Sequence, residues 1–186
     1  MLTFIAERRQ ELKNPESVYH LTGDSFDFLT VMLNDELFNT SDESILTECL
    51  NIIGATTQTL GFLLINTCYY LTKNPEIRTK LLSEIRANIL SKVQPGASLK
   101  DSKTWQELLT RDGIFDECPY LRQVIYEVLR IESSATVSSD FHLTETCTIY
   151  DKVFRTDSHI YIGIHQIHHN PDEWQEPSRF IPERFS

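Results

Sequence analysis

An acid and a base stand three residues apart in the segment YEVLRIES, where Glu127 precedes Arg130. On a helix this spacing brings the two side chains together as an ion pair. On a helical wheel the pair falls opposite the apolar stripe, which favours a pair on the surface. Tyr126 and Ile131 also lie outside that stripe, and they indicate that more than one side of the helix is covered. The residues alone leave a surface pair and a buried pair open.

A second polar group interrupts an apolar stretch, in the segment ATTQTL at residues 55–60. Thr59 offers a hydroxyl and Gln58 an amide, and such a pair can hold water. Because an amide does not ionise, Gln58 cannot shuttle a proton as a carboxylate does. The threonine hydroxyls could instead bond back to carbonyl groups of their own helix. Both interpretations remain open at this point.

Three histidines, His165, His168 and His169, fall close together and raise the question of a metal site. The segment YIGIHQI alternates like a strand, and a strand points His165 and His168 to opposite faces. No cysteine or carboxylate nearby completes a ligand set. We therefore expect no metal here, and expect His168 to make packing and polar contacts beneath a β element.

The elements that position these residues are mostly helical, because apolar residues recur at helical spacing and capping or proline signals open the segments. We predict helices over residues 2–13, 25–35 and 41–72, followed by helices that begin at Pro75, Thr104 and Pro119. The third helix, opened by a capping box of Thr40 and Glu43, would be about 45 Å long.

The chain changes character after residue 134, where apolar and β-branched residues alternate. We expect the stretches TCTIYDKVF and SHIYIGIHQI to pair as a hairpin through the connection RTDS. Asn170-Pro171-Asp172 predicts one more helical turn. The predicted fold class is mainly α with a small β-hairpin element and one very long central helix.

The composition of the 186 residues excludes some functions. A formal net charge of -10 repels phosphate backbones, so we expect no nucleic-acid partner. The four cysteines are widely spaced, which is typical of reduced thiols rather than of a zinc site or a disulfide framework. We find no signal peptide, and the apolar run at 60–71 is interrupted and short, so we expect no membrane span.

Four ordered segments are similar to those of the cytochrome P450 family of heme-thiolate monooxygenases. PYLRQVIYEVLR resembles its Glu-x-x-Arg helix, IHHNPDEW its His-x-x-Pro stretch, and FIPERF its Pro-Glu-Arg-Phe segment, while YYLTKNPEIRTKLLSEI resembles the end of its central helix. The resemblance implies a partial cytochrome P450 fold within one domain, 1–186. Its parts would be helices at 1–40, the central helix at 41–72, further helices at 75–134, and a β-hairpin with an irregular segment at 135–186.

The same resemblance implies roles for individual residues. Glu127 and Arg130 would form a buried structural cluster with Arg184, tying their helix to the segment that leads into the heme-binding loop. Thr59 would take the position of the oxygen-site threonine, with Gln58 replacing the family's acid. Ala55 and Thr59 would contact heme.

The implied activity is heme-dependent monooxygenation of an apolar small molecule, with O2 and electrons from a reductase. Localisation at the cytosolic face of the endoplasmic reticulum membrane is also implied. The family's cysteine-ligand loop does not occur in this sequence, so we expect an internal part of a larger domain that is inactive alone. The alternatives are a truncated, non-catalytic helical protein and a family member that catalyses a rearrangement.

Overall fold

The computed structural model describes residues 2–14, 27–39, 41–93, 97–109, 113 and 116–186. The chain forms two compact units, residues 1–60 and 61–186, and the division between them falls within one long helix. The predicted mainly α class is confirmed.

The first unit contains helix α1 (Leu2–Glu11), helix α2 (Phe28–Asn34) and the first part of helix α3 (Asp42–Lys73). The carboxylate of Asp27 begins α2 by accepting a hydrogen bond from the Thr30 amide at 2.9 Å. One buried apolar cluster holds the unit together, formed by Ile5, Met32, Leu33 and Ile45.

The second unit continues α3 and adds the helices α4 (Pro75–Asn88), α5 (Ser102–Leu109), α6 (Pro119–Ile131) and α7 (Ile164–His168), with 3₁₀ turns at Leu90–Lys92 and Pro182–Phe185. Proline begins α4 and α6, where its missing N–H costs no hydrogen bond. The largest core of this unit joins α4 and α6 through Ile77, Leu81, Tyr120, Val124, Val128, Ile131 and Phe180.

The β residues form two small antiparallel ribbons. Strand β1 (Phe141–His142) pairs with β4 (His159–Ile160), and β2 (Cys147–Ile149) pairs with β3 (Lys152–Phe154). The expected hairpin through RTDS is therefore wrong. The tight turn lies inside the first stretch, where Tyr150 takes a positive φ of 52°, a conformation that an aromatic side chain rarely adopts and that its sequence does not announce.

Helix boundaries follow the predictions with local differences. The central helix, predicted at 41–72, spans Asp42–Lys73. The proposed capping residue Thr40 lies outside the described residues, and the hydroxyl of Ser41 accepts a hydrogen bond from the Ser44 amide instead. The helix predicted to begin at Thr104 begins at Ser102. The turn predicted at Asn170 is present as a hydrogen bond from the Trp174 amide to the Asn170 carbonyl.

Helix α3 is long and apolar enough to cross a membrane, judged by length and composition alone. This differs from the expectation based on the interrupted run at 60–71. Its most apolar stretch is not buried inside the structure. The core helix of a soluble protein can have the same length and composition.

Candidate functional site

The ion pair predicted on α6 lies in the interior. The side chain of Glu127 is 0% exposed and that of Arg130 is 2% exposed. Arg130 donates from Nε to Glu127 Oε2 at 2.8 Å and from Nη2 to Oε1 at 2.9 Å. This two-pronged contact matches a planar guanidinium to a planar carboxylate. The surface-pair interpretation is therefore wrong, because other segments cover the face opposite the apolar stripe.

The C-terminal segment adds two further donors to the same carboxylate. Arg184, in the 3₁₀ turn, donates from Nε to Glu127 Oε1 at 3.3 Å, and the Ile181 amide donates to the same oxygen at 2.8 Å. Arg184 is in turn fixed by a hydrogen bond from Nη2 to the Glu176 carbonyl at 2.8 Å. The structure therefore brings together Glu127, Arg130 and Arg184, which we call the Glu127 cluster.

Two backbone carbonyls accept further hydrogen bonds from Arg130. Its Nη1 donates to the His168 carbonyl at 2.7 Å, and its Nη2 donates to the Arg179 carbonyl at 3.3 Å. The guanidinium also lies over the Trp174 ring, at 5.1 Å from the ring centre. The sequence did not reveal these partners, because a backbone carbonyl leaves no residue-type signal. Trp174 offered only the hint of a large aromatic residue in a loop.

The Glu127 cluster illustrates how a buried charge can be retained. Two guanidiniums share one carboxylate, which leaves a net positive charge. Hydrogen bonds from Arg130 to main-chain carbonyls help to stabilise that charge. A complete cluster of this kind stabilises little relative to an apolar replacement. Removal of the shared Glu127 carboxylate, in contrast, leaves uncompensated buried positive charge and costs about 3–5 kcal/mol. The cluster is therefore a strong constraint on geometry rather than a large source of stability.

The histidine segment is helical, not extended. His165 and His168 belong to α7, so the expected strand with alternating faces is wrong. The rings of His165 and His169 stack with centres 4.1 Å apart, as helical spacing allows. The His168 carbonyl accepts a hydrogen bond from Arg130, while its ring Nδ1 is buried without a hydrogen-bond partner and burial lowers its pKa. Among the described residues no group of three or more metal-binding side chains occurs.

The predicted oxygen-side residues Thr59 and Gln58 belong to the first unit, on α3. The Thr59 hydroxyl donates to the Ala55 carbonyl at 2.9 Å, and it also lies 3.3 Å from the Thr56 carbonyl. Thr57 bonds back to its own helix in the same way. These exposed hydroxyls therefore donate their hydrogen bonds to backbone carbonyls. Each hydroxyl oxygen still has lone pairs that can accept a hydrogen bond from water.

A buried carboxylate joins the Glu-x-x-Arg helix to the Pro-Glu-Arg-Phe turn. The chain also contains the long central helix that the resemblance to heme-thiolate proteins implies. The family model for cytochrome P450 matches residues 1–186. The chain therefore belongs to the cytochrome P450 family.

Curated relatives come from animals and plants. The chain is 33% identical over 150 residues to cytochrome P450 9c1 of Drosophila melanogaster, covering 78% of this chain and 26% of the relative. It is 30% identical over 159 residues to (S)-N-methylcoclaurine 3'-hydroxylase isozyme 1 of Eschscholzia californica, covering 86% and 29%. It is 28% identical over 192 residues to the steroid 17-alpha-hydroxylase/17,20 lyase of Peromyscus leucopus, covering 100% and 34%. The chain thus spans about a quarter to a third of these relatives' lengths.

Solved structures share the fold. Cyanobacterial CYP120A1 with bound retinoic acid matches with a TM-score of 0.71 and 22% identity, over 99% of this chain and 36% of that chain. A zebra fish cytochrome P450 with abiraterone matches with a TM-score of 0.68 and 19% identity, over 99% and 41%. The expected partial cytochrome P450 fold is confirmed.

Proposed function

We propose that this chain is part of a heme-dependent monooxygenase, which inserts one oxygen atom from O2 into an apolar small molecule. The observation that carries the proposal is the buried Glu127 cluster in a chain that the cytochrome P450 family model matches from 1 to 186. The cluster joins α6 to the Pro-Glu-Arg-Phe turn, which in the family leads into the heme-binding loop. Its contacts would hold that turn in one position.

The names of the relatives favour oxygenation over the alternatives. Two of the relatives described above are named as hydroxylases, one acting on N-methylcoclaurine and one on steroids. A rearrangement activity or a non-catalytic role has no comparable support. Because these names refer to chemically different small organic molecules, they support a small organic molecule as the substrate class of this protein.

Small, exposed residues on α3 support the proposal that this helix lies beside a heme group. Gly54 and Ala55 are small and exposed on α3, and a Cβ added at Gly54 would meet no atom within 4 Å. A flat ring could therefore approach the helix closely, with Ala55 and Thr59 in contact with it. When bound, heme supplies the redox chemistry, and its thiolate ligand favours O–O bond cleavage. None of the four free cysteines follows the Pro-Glu-Arg-Phe turn, so they do not match the family's ligand position.

The chain's own residues would contribute positioning and water binding. The Thr59 hydroxyl can accept a hydrogen bond from a water molecule while it donates its own hydrogen bond to the Ala55 carbonyl. The side-chain amide of Gln58 can orient such a water by donating or accepting a hydrogen bond, but it cannot supply a proton by ionising. Protons would then have to reach the oxygen site from solvent through water molecules, because residue 58 carries no acid.

The partners follow from this activity. We propose O2, an apolar small molecule and an electron-donating reductase as partners. We also propose a location at the cytosolic face of the endoplasmic reticulum membrane, as implied by the resemblance to eukaryotic members of the family.

A carbon monoxide difference spectrum of the protein as its gene encodes it tests the proposal. The reduced protein should show the red-shifted Soret band of a thiolate-ligated heme. A matched Glu127→Ala variant should lose the band together with bound heme, whereas Glu145→Ala, at an exposed position, should keep both. A protein that binds no heme, or binds it without that band, would overturn the proposal.

A further inference from the structure

Helix α6, which carries Glu127 and Arg130, has no cap of its own at its first turn. The residue at the cap position, Cys118, has non-helical angles of φ -124° and ψ 63°, and its side chain accepts no hydrogen bond. Pro119 has no N–H, so the amides of Tyr120 and Leu121 are the first that need an acceptor. A serine or aspartate at position 118 would ordinarily serve them.

The acceptor comes from another helix. Glu84 of α4 accepts the Tyr120 amide on Oε1 at 2.9 Å and the Leu121 amide on Oε2 at 2.9 Å. The next amide, that of Arg122, donates to the Cys118 carbonyl at 3.2 Å. Every donor of the first turn is therefore satisfied, and a negative charge lies at the positive end of the helix.

Helix α4 also reaches the segment that carries Arg184. Lys80, one turn before Glu84, pairs with Glu183 at 2.7 Å and lies 3.9 Å from the centre of the Tyr120 ring. The Tyr120 hydroxyl donates to the same Glu183 carboxylate at 3.1 Å. One face of α4 therefore contacts both elements that meet at the Glu127 cluster, namely the start of α6 and the Pro-Glu-Arg-Phe turn.

We propose that Glu84 is a positioning residue for the Glu127 cluster, because it fixes the translation and rotation of α6 from the end opposite the cluster. Each residue of an α-helix advances about 1.5 Å and turns about 100°. A small slide or rotation of α6 would take Arg130 away from the His168 and Arg179 carbonyls, which belong to other segments. The functional meaning of this role rests on the proposed heme-dependent function.

A double-mutant cycle with Glu84→Ala and Arg184→Ala separates positioning from simple capping. Loss of a cap alone should raise the unfolding equilibrium constant roughly tenfold and add independently to the effect of Arg184→Ala. Positioning predicts coupling between the two sites. When Arg184 is already absent, misplacement of α6 disrupts fewer contacts of the Glu127 cluster, so removal of Glu84 should destabilise the protein less. We expect the effect of Glu84→Ala to shrink by more than about twofold in the Arg184→Ala background.

A second variant supplies the missing cap locally. Cys118→Ser places a hydroxyl at the cap position of α6 itself, where it can accept from the Tyr120 or Leu121 amide in place of Glu84. In the Glu84→Ala background, Cys118→Ser should recover much of the unfolding midpoint but leave the rate of heme loss elevated severalfold. Glu76→Ala, at an exposed position on the same helix, is the matched control and should change neither quantity by more than about twofold.

Two results would overturn the inference. Strict additivity in the cycle would reduce Glu84 to a cap, and full recovery of heme retention by Cys118→Ser would do the same. If Glu84→Ala yields no folded protein, Glu84→Gln takes its place in both experiments, because its amide oxygen still accepts one of the two donors. A wild-type protein without heme would contradict the proposed function, while the cycle, measured by unfolding, would still decide the role of Glu84.

Discussion

The centres of α6 and α3 hold polar side chains in opposite ways. Glu127 is buried, and its hydrogen-bond partners come from its own helix and from the C-terminal segment. Thr59 is exposed, and its hydroxyl contacts the Ala55 and Thr56 carbonyls of its own helix. A group held by several segments reports how those segments are arranged. A group whose hydrogen bonds stay within its own helix, such as Thr59, depends on a bound ligand or water for any chemical role.

The largest expected effect is at Glu127. Glu127→Ala should lower the free energy of unfolding by about 3–5 kcal/mol, because two guanidiniums and the Ile181 amide lose their acceptor. Urea denaturation followed by circular dichroism measures it. Glu145→Ala is the control, and a comparably small loss in both variants would contradict a buried, interdependent cluster.

Two arginines of the C-terminal segment provide a closer test. Arg184 is 11% exposed and binds Glu127, whereas Arg179 is 67% exposed and pairs through its side chain with Glu176. Arg184→Ala should cost about 1.5–3 kcal/mol, since a hydrogen bond to a buried charge is lost. Arg179→Ala should stay within about 0.5 kcal/mol, because the carbonyl that Arg130 uses remains. Equal losses in denaturant titrations would remove the distinction between buried and exposed contacts.

The C-terminal part of α3 should behave like α6, since Tyr70 donates to Glu132 at 3.0 Å and stacks on Phe180. Burial, followed by the Glu132 hydrogen bond, raises the pKa of Tyr70 to about 12. The folded state then holds a proton that the unfolded state releases near pH 10, so stability from this group falls as pH rises between about 10 and 12. Tyr70→Phe should cost about 0.5–1.5 kcal/mol at neutral pH and flatten that alkaline decline.

Thermal unfolding across pH measures the decline, and Tyr69→Phe, at an exposed position, is the matched control. If stability falls with pH equally in Tyr70→Phe and in the wild type, the Tyr70 hydroxyl is not the group responsible for the alkaline decline.

The smallest effect on stability is expected at Thr59. Thr59→Val removes the hydroxyl and keeps the shape, and the free energy of unfolding should change by less than about 0.5 kcal/mol. If the proposed function holds, the variant should release more hydrogen peroxide per O2 consumed, because water is no longer held beside the heme. Thr57→Val is the control for both measurements. A stability loss as large as that of Arg184→Ala would mean that Thr59 has tertiary partners after all.

Local signals in the sequence predicted the helices well. Pro75 and Pro119 begin α4 and α6 as expected, since a proline without an N–H suits the first position. The central helix also lies within one residue of its prediction at either end. These features depend on residues close together in the chain, and so a single sequence contains them.

Features that depend on distant residues were predicted less well. The pairing of β4 with β1 rather than β3 is set by tertiary contacts, and alternation alone cannot select a partner. The segment around His165 alternates like a strand but folds as a helix, because short apolar runs fit both. The helical wheel placed Glu127 outside, since the segment that covers it lies more than fifty residues further on. Only the family resemblance indicated Arg184 as its partner, while the roles of Thr59 and Gln58 remain predictions.

The Glu127 cluster binds its surroundings largely through main-chain atoms, namely the carbonyls of His168 and Arg179 and the amide of Ile181. Main-chain atoms are common to nearly all amino acids. Evolution can therefore exchange the side chains at positions 179 and 181 while the charged centre stays the same, with proline barred at 181 because it has no N–H to donate. Two proteins that share little sequence along this segment could still form the same buried ion cluster.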